Sequence, residues 1–147
     1  MPDVLIAYGT RGGDTRKIAE TIAEGIRMEG LEAEVVNVST IKDEKPLAGY
    51  RAYVFGAPTY HGEMILPLKT FLFLAEKAGL EGKVGGAFGA YGWSGEAPER
   101  IYQTMKNIFK MNMVSDALRL KNVALGGGVQ MAHEYGRSVA RRLKDAS

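Results

Sequence analysis

The 147-residue sequence contains no cysteine. That absence excludes disulfides, thiolate-bound zinc, cysteine-ligated iron–sulfur clusters and any sulfur nucleophile supplied by the chain itself. Histidine is nearly as scarce, with only His61 and His133, and neither stands at metal-ligand spacing from a second histidine or a carboxylate. A long apolar run is also missing: the longest, around Phe71 to Ala75, falls well short of the roughly 20 residues that a membrane helix needs. The N-terminus enters a strand-like run at once, without a basic segment followed by an apolar core, so no secretory signal is visible and a cytoplasmic location is expected. Net charge is small at +2. A nucleic-acid binder would show a basic stripe with interleaved aromatics, whereas here the basic residues are dispersed except for Arg137, Arg141, Arg142 and Lys144. Those four read as the solvated face of a C-terminal helix, near its negative dipole end. Neither nucleic acid nor a membrane is expected as a partner.

What the sequence does contain is ordinary globular material, 46% hydrophobic and 24% charged, enough for a single domain over residues 1–147 with one core. Apolar runs and helical periodicities alternate along it. Val4 to Tyr8 is strand-like; Asp14 can cap a helix in which Ile18, Ala19, Ile22, Ala23 and Ile26 recur at helical spacing until Gly30 stops it. Ala33 to Val38 reads as a strand, Ile41 to Leu47 as a short helical segment and Tyr53 to Ala57 as a buried strand. Pro67 suits the first turn of a helix that places Leu68, Phe71, Leu72 and Ala75 on one face. A glycine-rich strand over Val84 to Ala90, a helix over Glu96 to Phe109, an alternating strand over Val114 to Leu120 and a helix over about Val129 to Leu143 complete the series.

Five strands alternating with helices predict an α/β fold in which a parallel sheet is covered on both faces, because parallel neighbours need crossover connections. Alternation in the last strand fits an edge position. Ligands of such sheets bind outside the carboxyl ends of the strands, at the switch point of strand order. The loops after Tyr8, Ala57 and Ala90 are therefore the ones to inspect.

The first loop, Thr10-Arg11-Gly12-Gly13-Asp14-Thr15, leads into a helix whose free N–H groups and positive dipole end favour an anion. Its glycines let several amides converge on one oxygen cluster, and the threonine hydroxyls can add hydrogen bonds. It lacks the Lys-Ser/Thr pair of a Walker loop and the G-x-G-x-x-G spacing of a dinucleotide site. A monophosphate suits it better, although a simple strand-to-helix turn would look the same. The second loop, Pro58-Thr59-Tyr60-His61-Gly62, and the third, Ala90-Tyr91-Gly92-Trp93-Ser94-Gly95-Glu96, each set an aromatic beside glycine. Tyr60 and Trp93 could thus flank a flat heterocycle whose edge bonds to nearby amides.

The three stretches TRGGDT, APTYHG and AYGWSGEA together resemble the flavodoxins over essentially the whole chain. The third is most similar to the flavodoxin-like domain of the flavodiiron, or A-type, flavoproteins, here as a free-standing chain. In the first stretch Gly12 stands where that family usually has threonine and Asp14 where it usually has asparagine. The resemblance implies a flavodoxin-like three-layer sandwich with a five-stranded parallel sheet of order 2-1-3-4-5, the cofactor FMN, and one-electron transfer between redox protein partners, a separate di-iron protein being one candidate. It implies that the first loop holds the phosphate and that the second and third hold the isoalloxazine ring, with a backbone carbonyl beside His61 or Gly62 accepting the flavin N5 proton.

With only two histidines, a di-iron site like that of the larger flavodiiron proteins is not expected in this chain, and no residue is assigned a catalytic or metal-binding role. Two alternatives remain beside the carrier: an FMN-dependent NAD(P)H:quinone or flavin reductase, and a flavin-free interaction module of the same fold. The reductase would normally need a further nicotinamide or quinone pocket built by a long insertion, and none is visible. The oligomeric state, monomer or homodimer, stays open.

Overall fold

A computed structural model describes residues 2–9, 13–60, 63–64, 66–90, 96–121 and 126–145. Its main sheet begins with β1 (Val4–Tyr8), which lies between β2 (Ala33–Asn37) and β3 (Ala52–Gly56). A two-residue hairpin, β4 (Thr59–Tyr60) and β5 (Glu63–Met64), stands apart from that sheet. The long strand β6 (Val84–Ala90) pairs with β3, and its other edge carries two short strands, β7 (Asn112–Met113) and β8 (Leu118–Leu120). All pairings within the main sheet are parallel. Numbered by main-sheet strands alone, with β7 and β8 as halves of the fifth, the order is 2-1-3-4-5.

Every residue of β1 is buried, and the period-2 alternation of a strand divides them between two cores. Val4, Ile6 and Tyr8 face α1 (Asp14–Met28) and α4 (Gly128–Asp145). Leu5 and Ala7 face α2 (Leu66–Lys77) and α3 (Glu96–Gln103). The apolar stripe of α1, Ile18 to Ile26, is fully buried. Beyond Met28 the chain turns at Gly30, in the left-handed region at φ +85°, with its N–H donating to Arg27 O and that of Leu31 to Ile26 O. This is the glycine stop that the sequence predicts.

α1 and α4 meet backbone to backbone. A Cβ on Gly25 would lie 2.1 Å from His133 O, and one on Gly136 would lie 2.1 Å from Ile22 O, so only glycine permits this approach.

Several local expectations are corrected. Asp14 does not cap α1: Gly13, left-handed at φ +91°, is the cap residue. The segment read as helical over Ile41 to Leu47 is instead two 3₁₀ turns, Val38–Thr40 and Lys45–Leu47. The helix expected to reach Phe109 is α-helical only through Gln103 and widens into a π turn over Thr104–Ile108.

The predicted strand Val114 to Leu120 is broken. β7 pairs with Val84 and Gly85, Val114 N–H still donates to Gly85 O at 3.0 Å, β8 pairs with Phe88 to Ala90, and residues 115–117 leave the ladder between them. That leaves the N–H of Ala87 without a strand partner, and it donates instead to Tyr135 Oη at 2.9 Å. Burial raises the Tyr135 hydroxyl well above the ordinary tyrosine range, so it stays protonated. The break is also fastened to α4 by Arg142, whose guanidinium donates to Asn112 Oδ1 at 2.9 Å and Val114 O at 3.2 Å.

The basic cluster of α4 is therefore not merely a solvated face. Besides Arg142, Arg137 Nε, Arg141 Nη2 and Lys144 Nζ reach the carboxylate of Glu29, just past the end of α1, at 3.0, 3.6 and 3.2 Å. The hydrogen bonds from Arg137 and Lys144, with the charge of Arg141, hold the Glu29 carboxyl below the ordinary glutamate range. On α3, Glu99 forms an ion pair with Arg119 of β8 at 2.7 Å.

Candidate functional site

Because β1, β3 and β6 are adjacent and parallel, their carboxyl ends share one edge of the sheet. Backbone bonds draw that edge together: Gly9 N–H donates to Gly56 O at 2.9 Å, and Ala57 N–H donates to Phe88 O at 3.3 Å. The three loops singled out in the sequence all leave from this edge.

The first loop delivers the chain through Gly13 to the start of α1. Asp14 is the first helical residue and its side chain is exposed. Thr15 is buried, 1% exposed, and its Oγ1 is, among the described residues, the one buried side-chain polar atom with no hydrogen-bond partner. The other buried threonine, Thr21, is satisfied: its hydroxyl donates to Lys17 O at 2.8 Å. An unpartnered buried hydroxyl costs about 1–3 kcal/mol, and this one stands in the first helical turn, where free N–H groups and the dipole favour an anion. The residues present thus fit a phosphate group.

The second loop begins with buried Ala57 and half-buried Pro58 and continues into the hairpin, in which Thr59 pairs with Met64 and Tyr60 with Glu63. The third leaves β6 at Ala90 and returns at Glu96, the exposed first residue of α3. Sequence reasoning missed what joins the two. A Cβ on Gly89 would lie 2.3 Å from Ala57 O and 2.5 Å from Pro98 Cγ, so the absence of a side chain there lets the bases of both loops and the first turn of α3 close up. Gly56 plays a similar part against the ring of Phe88, which a Cβ would meet at 2.4 Å. The available signal was a glycine inside a strand, which marks a close approach by ligand or backbone.

Gly13, Asp14, Thr15, Pro58, Thr59, Tyr60, Ala90 and Glu96 are thereby placed at one sheet edge. Thr10, Arg11, Gly12, His61, Gly62, Tyr91, Gly92, Trp93, Ser94 and Gly95 lie outside the described residues. His133 stands elsewhere, on α4, where its Nε2 is 2.9 Å from Glu24 Oε1 of α1. Among the described residues no group of three histidine or acidic side chains is arranged to hold a metal, and no helix is long and apolar enough to cross a membrane.

Residues 5–133 match the family described as Flavodoxin domain. Among curated proteins, diflavin flavoprotein A 6 of Nostoc sp. is 31% identical over 147 residues, covering 97% of this chain and 25% of its own length. A nitric oxide reductase of Moorella thermoacetica is 32% identical, covering 96% of this chain and 36% of its own. This chain thus spans about a quarter to a little over a third of those two proteins. Among solved structures, a flavodoxin from the domain Archaea superposes with a TM-score of 0.89 at 29% identity, over 96% of this chain and 98% of the other.

Proposed function

The chain belongs to the flavodoxin-domain family, whose cofactor is FMN, and on that premise we propose that it is a cytoplasmic electron carrier passing single electrons between redox protein partners. The observation that carries the reading is the orphaned Thr15 hydroxyl, buried in the first turn of α1 beside the left-handed Gly13. A phosphate monoester supplies the missing acceptor and meets the helix N-terminus at the same time. Thr10, Gly12, Gly13 and Thr15 hold that phosphate, with Arg11 adding charge and Asp14 opposing it. Pro58 to Gly62 and Ala90 to Glu96 hold the ring, and Gly89 keeps the bases of those two loops close.

FMN supplies reversible one-electron redox chemistry when bound; the protein supplies position, a water-excluding wall and the local field. A backbone carbonyl beside His61 or Gly62 would accept a hydrogen bond from the reduced ring, and the glycine would give that peptide the freedom to turn. Two relatives whose names state an activity, a nitric oxide reductase and a rubredoxin-oxygen oxidoreductase, are each matched over 36% of their own length. A separate di-iron protein is one candidate among the redox partners of such a carrier.

The test is an absorption spectrum of the FMN-loaded protein during stepwise reduction, combined with an assay for NADH and NADPH oxidation. A carrier retains FMN, takes up electrons in separable one-electron steps and oxidises nicotinamides slowly. Rapid nicotinamide oxidation would make it a reductase, and failure to hold FMN would leave an interaction module.

A further inference from the structure

α2 has two apolar faces. Leu68, Phe71, Leu72 and Ala75 enter the core, but Phe73 points away from it and is 70% exposed. Beside that ring runs an open groove of about 290 Å³, bounded on the far side by Thr104, Ile108 and Phe109 of the π turn and its end, with Ile108 itself 58% exposed. Lys69 and Glu76 also line it, one on either side of Phe73 along α2.

We propose that this face is a two-fold interface between two copies of the chain, with their α2 helices antiparallel and crossing between Leu72 and Phe73. The patch carries both halves of an apolar contact, a projecting ring and a groove next to it, as an isologous interface requires. Its charges are self-complementary in one orientation only. Lys69 and Glu76 are seven residues apart, about 10.5 Å along the helix, and the midpoint falls between residues 72 and 73. A two-fold axis there sets Lys69 of each copy against Glu76 of the other, while Phe73 of each copy enters the groove of the other. A parallel arrangement sets like charges together and is disfavoured. Such pairing of opposite charges fixes orientation as well as adding affinity.

Sedimentation equilibrium of the full chain over a range of concentrations and two salt levels tests this, with FMN content followed in parallel. A concentration-dependent dimer is expected, weakening as salt rises, and Phe73→Glu should abolish it. Lys69→Glu alone, or Glu76→Lys alone, replaces two symmetry-related attractions by repulsions and should weaken the dimer by at least the roughly 2- to 30-fold that two exposed pairs are worth at the usual strength. The double variant Lys69→Glu/Glu76→Lys should regain the dimer, and an equimolar mixture of the two single variants should form heterodimers. FMN binding should not change in any of them, which separates this proposal from the assignment of the flavin site. A wild-type chain that stays monomeric at every concentration overturns the proposal and leaves the groove to a different protein. A dimer indifferent to all four variants overturns it equally, because it must then use another surface.

Discussion

Replacing Thr15 by valine separates a residue that serves the fold from one that serves a ligand, because the two roles predict opposite signs. The side chain is buried and its hydroxyl unpartnered, so a methyl in place of that oxygen removes a desolvation penalty of about 1–3 kcal/mol. Threonine and valine have nearly equal helix propensities, and the ligand-free protein should therefore gain about 1 kcal/mol. FMN binding should move the other way. A hydrogen bond to a charged phosphate contributes about 1.5–3 kcal/mol, equivalent to a loss of roughly 10- to 150-fold in affinity. Riboflavin, which lacks the phosphate, should bind both forms alike. With FMN at a thousand times its wild-type dissociation constant, binding stabilises the wild type by about 4.1 kcal/mol. A variant weakened 50-fold gains only about 1.8 kcal/mol, so the order of stability inverts when the ligand is added. Urea unfolding with and without FMN, together with fluorescence titration of FMN and riboflavin, measures every part of this. A ligand-free variant less stable than wild type, or equal losses for the two flavins, would refute the reasoning.

Tyr135→Phe deprives the Ala87 N–H of its acceptor inside the sheet and should cost about 1–3 kcal/mol, seen in urea unfolding and in faster hydrogen exchange at Ala87. Gly89→Ala forces a methyl against Ala57 O and Pro98; overpacking should cost about 1–3 kcal/mol, and FMN and riboflavin should weaken together because the ring loops, not the phosphate loop, are spread. Glu29 has a folded pKa depressed below its ordinary 4.5, so its contribution is complete above that pH and is lost as pH falls through the depressed value. Glu29→Gln should accordingly lower stability at neutral pH while flattening the acid limb of a stability profile below about pH 4.5, and an unaltered limb would show that the three cations act independently of it.

The legible parts of the fold were those whose cause is local. The stripe Ile18 to Ile26 and the run Val84 to Ala90 carry their periodicity in adjacent residues, and both were placed correctly. The loops at the carboxyl edge followed from parallel topology alone. What failed depended on residues distant in sequence. Only Leu118 to Leu120 of VSDALRL alternate strictly, and the predicted strand breaks at Ser115-Asp116, where α4 sets Tyr135, 48 positions from Ala87, against the vacant N–H. The arginines of α4 repeat as solvated charges do, and their partner Glu29 lies 108 positions away from Arg137. The cap at Gly13 was misassigned to Asp14 because aspartate is so common at that position, while only the backbone angle identifies the glycine. In the site, the edge from which the three loops leave was readable, but the role of Gly89 needed the coordinates of Ala57 and Pro98.

The glycine-to-carbonyl contacts between α1 and α4 decide where the conformational entropy of ligand capture is spent. Side-chain interfaces adjust by exchanging rotamers, but Gly25 against His133 O and Gly136 against Ile22 O offer none to exchange. α1 is thus held in one register, and the helix end proposed to receive the phosphate is already organised before any ligand arrives. Inorganic phosphate alone should therefore compete with FMN at a small entropic cost.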